Sequence, residues 1–204
     1  LSRISKIDYN SKNIDWNIGL EMPSGDTNLG NELKFSFQHS LHKSISYPSC
    51  FATLDNGNIS EQILNTDYPT TRALLICYDE NIDSEPYIQW EYSLPENYFG
   101  FASGNVQILD NGNFLITTVG DGGSVLEIDF EKNIIWEGKL NLQLPNGAVY
   151  RANRISGLYP NNYSVLLKEF SDNTSAVTAS INNGNYLTNY NHIQLSINDE
   201  GELI

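Results

Sequence analysis

Three stretches of this 204-residue chain end alike, and that recurrence constrains its fold more than any other feature. They are Ser2–Trp16 (SRISKIDYNSKNIDW), Thr71–Trp90 (TRALLICYDENIDSEPYIQW) and Gly123–Trp136 (GSVLEIDFEKNIIW). Each runs as an alternating apolar strand to an acidic residue, Asp8, Asp79 or Asp129, then through a polar turn to a short strand ending in Ile-x-Trp. Period-two alternation broken by a polar turn predicts an antiparallel hairpin. An equal offset from the turn puts Trp16, Trp90 and Trp136 on one face of three hairpins, where the indoles are expected to be buried between packed sheets.

A second recurrence is the pentapeptide LDNGN, at Leu54–Asn58 and again at Leu109–Asn113. Asn-Gly between apolar runs is a strong hairpin signal, because a type I′ turn needs φ > 0 at both central residues. Taken as the first turn of a repeat, it joins equivalent strands, and the Ile-x-Trp hairpin supplies the second half. Two hairpins make a four-stranded sheet of roughly 45–55 residues, the size of one β-propeller blade. The expected class is all-β, a β-propeller of four-stranded antiparallel blades. Blade-like units are expected over residues 1–20, 51–92, 102–138 and 150–204, with an insertion over 21–50. Ser180–Leu203 repeats the logic weakly, with turns at Asn183-Gly184 and Glu200-Gly201. The chain opens mid-blade without methionine, so it reads as a mature product or as part of a propeller with blades missing. No stretch carries the apolar i, i+3, i+4, i+7 pattern of a long helix.

Charge limits the partners. With 11 basic and 25 acidic residues the net charge is −14, which argues against nucleic acid and anionic membrane, since both demand a basic face. No apolar run approaches the ~20 residues of a membrane span, and no charged leader with an apolar core is present. Two cysteines, Cys50 and Cys77, form no framework and no zinc site. One bridge between neighbouring strands and two buried thiols both remain open.

Candidate chemistry is sparse. The histidines are His39, His42 and His192; the first two lie in FSFQHSLHKS, which reads as strand and loop and offers too few ligands for a metal. Neither a metal nor a cofactor is expected. Arginine occurs only at Arg3, Arg72, Arg151 and Arg154. A guanidinium on a rigid sheet beside a histidine suits carboxylate, sulfate or phosphate, whereas an arginine tying acidic strands together is structural. Alternation sends Arg151 and Arg154 to opposite faces if VYRANRISGLYP is a strand. No nucleophile elbow, P-loop or dinucleotide fingerprint occurs, and GDGGS (Gly120–Ser124) reads as a tight turn between strands.

Read in order, FSFQHS (Phe35–Ser40), FATLDNGN (Phe51–Asn58), TTRALLICYDE (Thr70–Glu80), QWEY (Gln89–Tyr92), ASGNVQILDNGNFLI (Ala102–Ile116), GGSVLEIDFEKNIIWE (Gly122–Glu137) and YRANRISGLYP (Tyr150–Pro160) resemble the arylsulfotransferase family. The resemblance covers about two-thirds of the chain, and its more specific pieces are Gln-His, Gly-Asn-Val-Gln and Tyr-Arg-Ala. It implies a six-bladed propeller, secreted or periplasmic, with a central funnel. There a sulfuryl group passes from an aryl sulfate to a phenol through a sulfated histidine. Carried over by position, His39 is the catalytic candidate, and Arg72, Tyr150 and Arg151 are the substrate-binding candidates. The sequence departs from the family in having no histidine between His42 and His192, and in reading Asn58-Ile59-Ser60-Glu61 after the first Asp-Asn-Gly. Two functions therefore stand side by side. One is sulfuryl transfer; the other is a propeller without catalysis that binds an anionic aromatic or carbohydrate ligand, or a protein partner.

Overall fold

A computed structural model describes residues 2–21, 29–45, 47–81, 84–142, 148–155, 162–169 and 175–182. They belong to two compact units, Leu1–Arg154 and Ile155–Ile204. The chain is all-β with antiparallel sheets, as expected; its described helix is confined to α1 (Ser60–Ile63) and three short 3-10 turns.

Unit 1 holds three sheets. The first pairs β1 (Arg3–Ile7) with β2 (Ile14–Gly19). The second is a meander of β3 (His39–Lys43), β4 (Cys50–Asp55), β5 (Arg72–Cys77) and β6 (Tyr87–Ser93). The third is a meander of β7 (Asn105–Ile108), β8 (Phe114–Thr118), β9 (Ser124–Ile128) and β10 (Ile134–Lys139). The second sheet thus begins inside the stretch expected as an insertion, and the first shows two strands among the described residues. In unit 2, β11 (Asn162–Glu169) pairs with β12 (Ser175–Asn182). The weak repeat after Asn182, with His192, lies outside the described residues.

The Ile-x-Trp motif has a geometric cause. Opposite Ile7 and Lys6 stand Ile14 and Trp16; opposite Ile76 and Leu75 stand Ile88 and Trp90; opposite Ile128 and Glu127 stand Ile134 and Trp136. The middle residue, Asp15, Gln89 or Ile135, is the extra residue of a β-bulge, which sharpens the local twist and re-aims the tryptophan. Each hairpin also closes alike four residues later. Leu20, Leu94 and Leu140 donate their N–H to the carbonyls of Ser2, Thr71 and Gly123 at 3.2, 2.8 and 2.9 Å. The repeat is therefore Ile-x-Trp-x-x-x-Leu.

Two of the tryptophans bind their sheet to the next in the chain. Trp16 meets the edge of Tyr78 in the second sheet at 5.6 Å. Trp90 stacks on Phe114 of the third at 3.8 Å and donates Nε1–H to the Phe130 carbonyl at 2.9 Å. The expected burial is met at Trp90, 4 % exposed, and only half met at Trp16. Trp136 departs from it at 50 % exposure, because the third sheet is the last of unit 1 and no described residue of that unit covers it.

Strand β5 (RALLIC) is buried along its whole length because both its faces are covered. Leu74 and Ile76 pack with Ile4, Ile18 and Phe35, while Ala73 and Leu75 pack with Trp90, Phe114, Ile116 and Leu126. Each buried Leu, Ile or Phe among them contributes about 1.5–3 kcal/mol by leaving water. Cys50 and Cys77 stand directly opposite in β4 and β5 and are joined as a disulfide.

The two LDNGN copies do not occupy equivalent positions. The first closes β4 and leads through α1 to β5, joining the second and third strands of its sheet. The second joins β7 to β8, the first and second strands, by a short turn. Gly57 and Gly112 both take positive φ, yet a Cβ on Gly57 would collide with the Thr70 carbonyl whereas one on Gly112 would meet nothing. Identical letters serve a buried corner once and an exposed turn once. The expectation that this pentapeptide marks equivalent strands is overturned by the strand order.

Candidate functional site

Residues of the first LDNGN build a buried polar cluster in unit 1. Asp55 and Asn56 are fully buried where β4 ends. Asp55 accepts the N–H of Ser36 at 2.8 Å and of Gly57 at 2.9 Å through Oδ1, and Arg72 Nε at 2.9 Å through Oδ2. Asn56 turns its amide nitrogen to the carbonyls of Gly100 and Ser103, at 2.5 and 3.1 Å. Its own carbonyl accepts the Thr71 hydroxyl at 3.1 Å.

This arrangement decides the state of His39. Two carbonyls can only accept, so the NH₂ end of Asn56 must face them and Oδ1 is left to face Nδ1 of His39 at 2.7 Å. The carbonyl of Phe37 lies 3.1 Å from the same nitrogen. Both neighbours accept, so Nδ1 carries a proton, and in the neutral form of the ring Nε2 is the bare nitrogen. Phe37 and Ser40 on either side take φ of 56° and 60°, left-handed conformations that non-glycine residues adopt at a cost and that cluster at functional sites. His42 is the opposite tautomer: its Nδ1 accepts the N–H of Ile108 at 2.9 Å.

Those bonds belong to a second repeated device. Ser40 Oγ and His42 Nδ1 on β3 accept the N–H groups of Val106 and Ile108 on β7. Asn105 Oδ1 and Gln107 Oε1 on β7 accept the N–H groups of Ala152 and Arg154. The first strands of the second and third sheets thus satisfy the open edge of the next segment with side chains. Gln-His, Gly-Asn-Val-Gln and Tyr-Arg-Ala, the three specific pieces of the resemblance, fall on these three successive segments.

Arg72 is a buried tie. Its side chain is 6 % exposed, with Nη2 2.7 Å from Asp55 Oδ2, Nη1 3.3 Å from Glu91 Oε2, and Nη2 also facing the Leu33 and Lys34 carbonyls at 3.3 and 3.0 Å. Burial pushes the Asp55 carboxyl up, opposed by the Arg72 charge and the Ser36 N–H. Tyr150 is exposed, its carbonyl held by the Gly104 N–H at 3.0 Å, next to the Ser103 carbonyl that holds Asn56. Arg151 lies over the Tyr150 ring at 5.2 Å and has no ion-pair partner among the described residues. Among the described residues no hydrogen bond, ion pair or ring contact joins His39 to Arg72, Tyr150 or Arg151; His39 is linked to the corner that holds Arg72, and to the 100–104 turn that holds Tyr150, only through Asn56.

Arg154 reaches Glu127 at 2.7 Å instead. Desolvation raises the Glu127 pKa, but hydrogen bonds from Arg154, Asn113 and Asn111 outweigh it and hold the carboxyl below its usual range. The second LDNGN therefore serves a buried carboxylate as well, through its asparagine side chains. The residue that sequence reasoning missed is Asn56, hidden inside a pentapeptide read as a turn. The available signal was the distance from Asn56 to the next strand at Arg72, too long for a hairpin.

No protein-family model and no curated protein matches the chain. Among solved structures it is similar to a protein of unknown function from Bacteroides caccae, at 14 % identity and a TM-score of 0.46. That alignment covers 100 % of this chain and 60 % of the other, so the chain spans less than two-thirds of that protein's length.

Proposed function

We propose that this chain is part of an arylsulfotransferase-like β-propeller whose His39 receives a sulfuryl group from an aryl sulfate and passes it to a phenol. The observation that carries the reading is the Asn56–His39 pair, which leaves Nε2 bare for attack. Successive sheets joined through repeated tryptophans and edge-to-edge first strands support the propeller arrangement.

In the first half-reaction Nε2 forms a bond to sulfur while the bond from sulfur to the aryl oxygen breaks, and the departing phenolate takes a proton from solvent. Positive charge on the sulfated ring is stabilised at Nδ1–H by Asn56 Oδ1 and the Phe37 carbonyl. In the second, the acceptor phenol oxygen bonds to sulfur, Nε2 leaves, and the phenol proton is released to solvent. Arg151 is the guanidinium free to meet sulfate oxygens; Arg72 acts on the site by fixing Asp55 and hence the corner that carries Asn56. A secreted or periplasmic location belongs to this proposal.

The second reading, binding of an anionic aromatic without transfer, is favoured by one observation: Arg72 and His42 are both committed to structural bonds, which leaves His39 without a second uncommitted histidine or a free Arg72 beside it among the described residues. Full-length protein mixed with p-nitrophenyl sulfate separates the two. Acceptor-dependent nitrophenol release and an intact-mass adduct, both lost in His39→Ala, support transfer. Saturable binding with neither signal supports the second reading.

A further inference from the structure

The repeat supplies its own control for a cleft of about 470 Å³ between the first and second sheets, at the end of β3 and β4 away from His39. The equivalent space between the second and third sheets is about 260 Å³. Strand register makes the two comparable side chain by side chain: Lys6 stands where Leu75 does, Lys43 where Ile108 does, Phe51 where Phe114 does, and Tyr78 where Phe130 does. In the smaller space Trp90 lies flat on Phe114, the rings 10° from parallel. In the larger one Trp16 turns edge-on to Tyr78, at 86°, and makes no ring contact with Phe51. Relative to the second space, the first thus has its stacked indole withdrawn and two apolar walls replaced by lysines, with the carboxylates of Asp79 and Glu80 also on its lining.

The lysines differ. Lys6 is paired with Glu80 at 2.5 Å and Asp15 at 3.5 Å. Lys43 has no ion-pair or hydrogen-bond partner among the described residues, in a chain of net charge −14. An uncommitted ammonium beside a half-buried ring that no indole stacks on fits a flat aromatic group that carries an acidic substituent. The disulfide fixes this end, since Cys50 precedes Phe51 and is tied across to Cys77.

We infer that this cleft is a binding site for a small aromatic acid, its ring stacked on Phe51 as Trp90 stacks on Phe114 and its acidic group on Lys43. The site lies apart from His39 and stands whether or not His39 transfers sulfuryl groups.

Isothermal titration of the full chain with indole-3-acetate, indole-3-acetamide and cyclohexylacetate tests it. Saturable binding of the first is expected, weaker by about tenfold for the neutral amide and for the non-aromatic acid, in line with the loss of one charge-assisted bond or one stacked ring. Lys43→Gln, an exposed substitution that leaves the core untouched, should weaken indole-3-acetate by a similar factor, and His39→Ala should leave it unchanged. No saturable binding, equal binding of acid and amide, or loss in His39→Ala with retention in Lys43→Gln would each overturn the assignment.

Discussion

The side-chain oxygen of Asn56 stands 2.7 Å from Nδ1 of His39, and it can only accept there, because the amide nitrogen is held by the carbonyls of Gly100 and Ser103. One buried asparagine thereby sets the tautomer of a half-exposed histidine and ties the end of β4 to the turn that precedes β7. Replacing it with alanine leaves two carbonyls without their partner and the ring N–H with the Phe37 carbonyl alone. Asn56→Ala should cost about 1–3 kcal/mol in chemical denaturation and give His39 a mixture of tautomers.

Arg72 and Asp55 make the second test of that corner. Removing the guanidinium strands a carboxylate that is 1 % exposed, so Arg72→Met should destabilise by about 3–5 kcal/mol. A stable Arg72→Met protein that loses only ligand binding would instead make Arg72 a direct ligand residue.

The three repeated tryptophans should not be energetically equal. Trp90 is packed on Phe114 and bonded to Phe130, and Trp90→Ala should cost about 3–5 kcal/mol. Trp136 is half exposed, and Trp136→Ala should cost under about 1 kcal/mol. Equal losses in denaturation would mean that Trp136 is covered in solution.

Acid should act through Glu127. Its folded pKa is lowered, so its contribution is complete above the ordinary value of 4.5 and is lost as pH falls through the lower folded value. Glu127→Gln should therefore be less stable at neutral pH and show a flatter fall in Tm on acidification. Parallel acid limbs would contradict the hydrogen-bond network assigned to it.

The Cys50–Cys77 bridge closes a separation of 27 residues, for which the loss of unfolded-chain entropy amounts to about 3.5 kcal/mol. The Cys50→Ala, Cys77→Ala protein should lose stability of that order, measured by urea unfolding. Thiol titration of the unfolded native chain should find no free cysteine.

Much of the sheet framework was legible because its signal is local. An alternating strand, a polar turn and Ile-x-Trp specify a hairpin, and the pairing around Trp16, Trp90 and Trp136 bears that out, while the bulge at the middle residue emerges only from the register. The leucine four residues on was equally visible and belonged to the same unit. LDNGN misled because a turn motif records local backbone conformation alone. Whether it is an exposed turn at Leu109 or a buried corner at Leu54 depends on residues far along the chain, Ser36, Arg72 and Gly100 among them. The role of Asn56 was illegible for the same reason: its partners lie 17, 44 and 47 residues away. Arg72 was singled out as a possible anion receptor or a strand tie, and only its burial against Asp55 distinguishes them.

The central claim is the state of His39, and ¹⁵N NMR of histidine-labelled protein, assigned with His39→Ala and His42→Ala, tests it most directly. At a pH where both rings are neutral, His39 should show the proton on Nδ1 with Nε2 bare, and His42 the reverse, with Nδ1 accepting from the Ile108 N–H. A His39 ring protonated on Nε2 would contradict the account, because it would leave no lone pair for the proposed transfer.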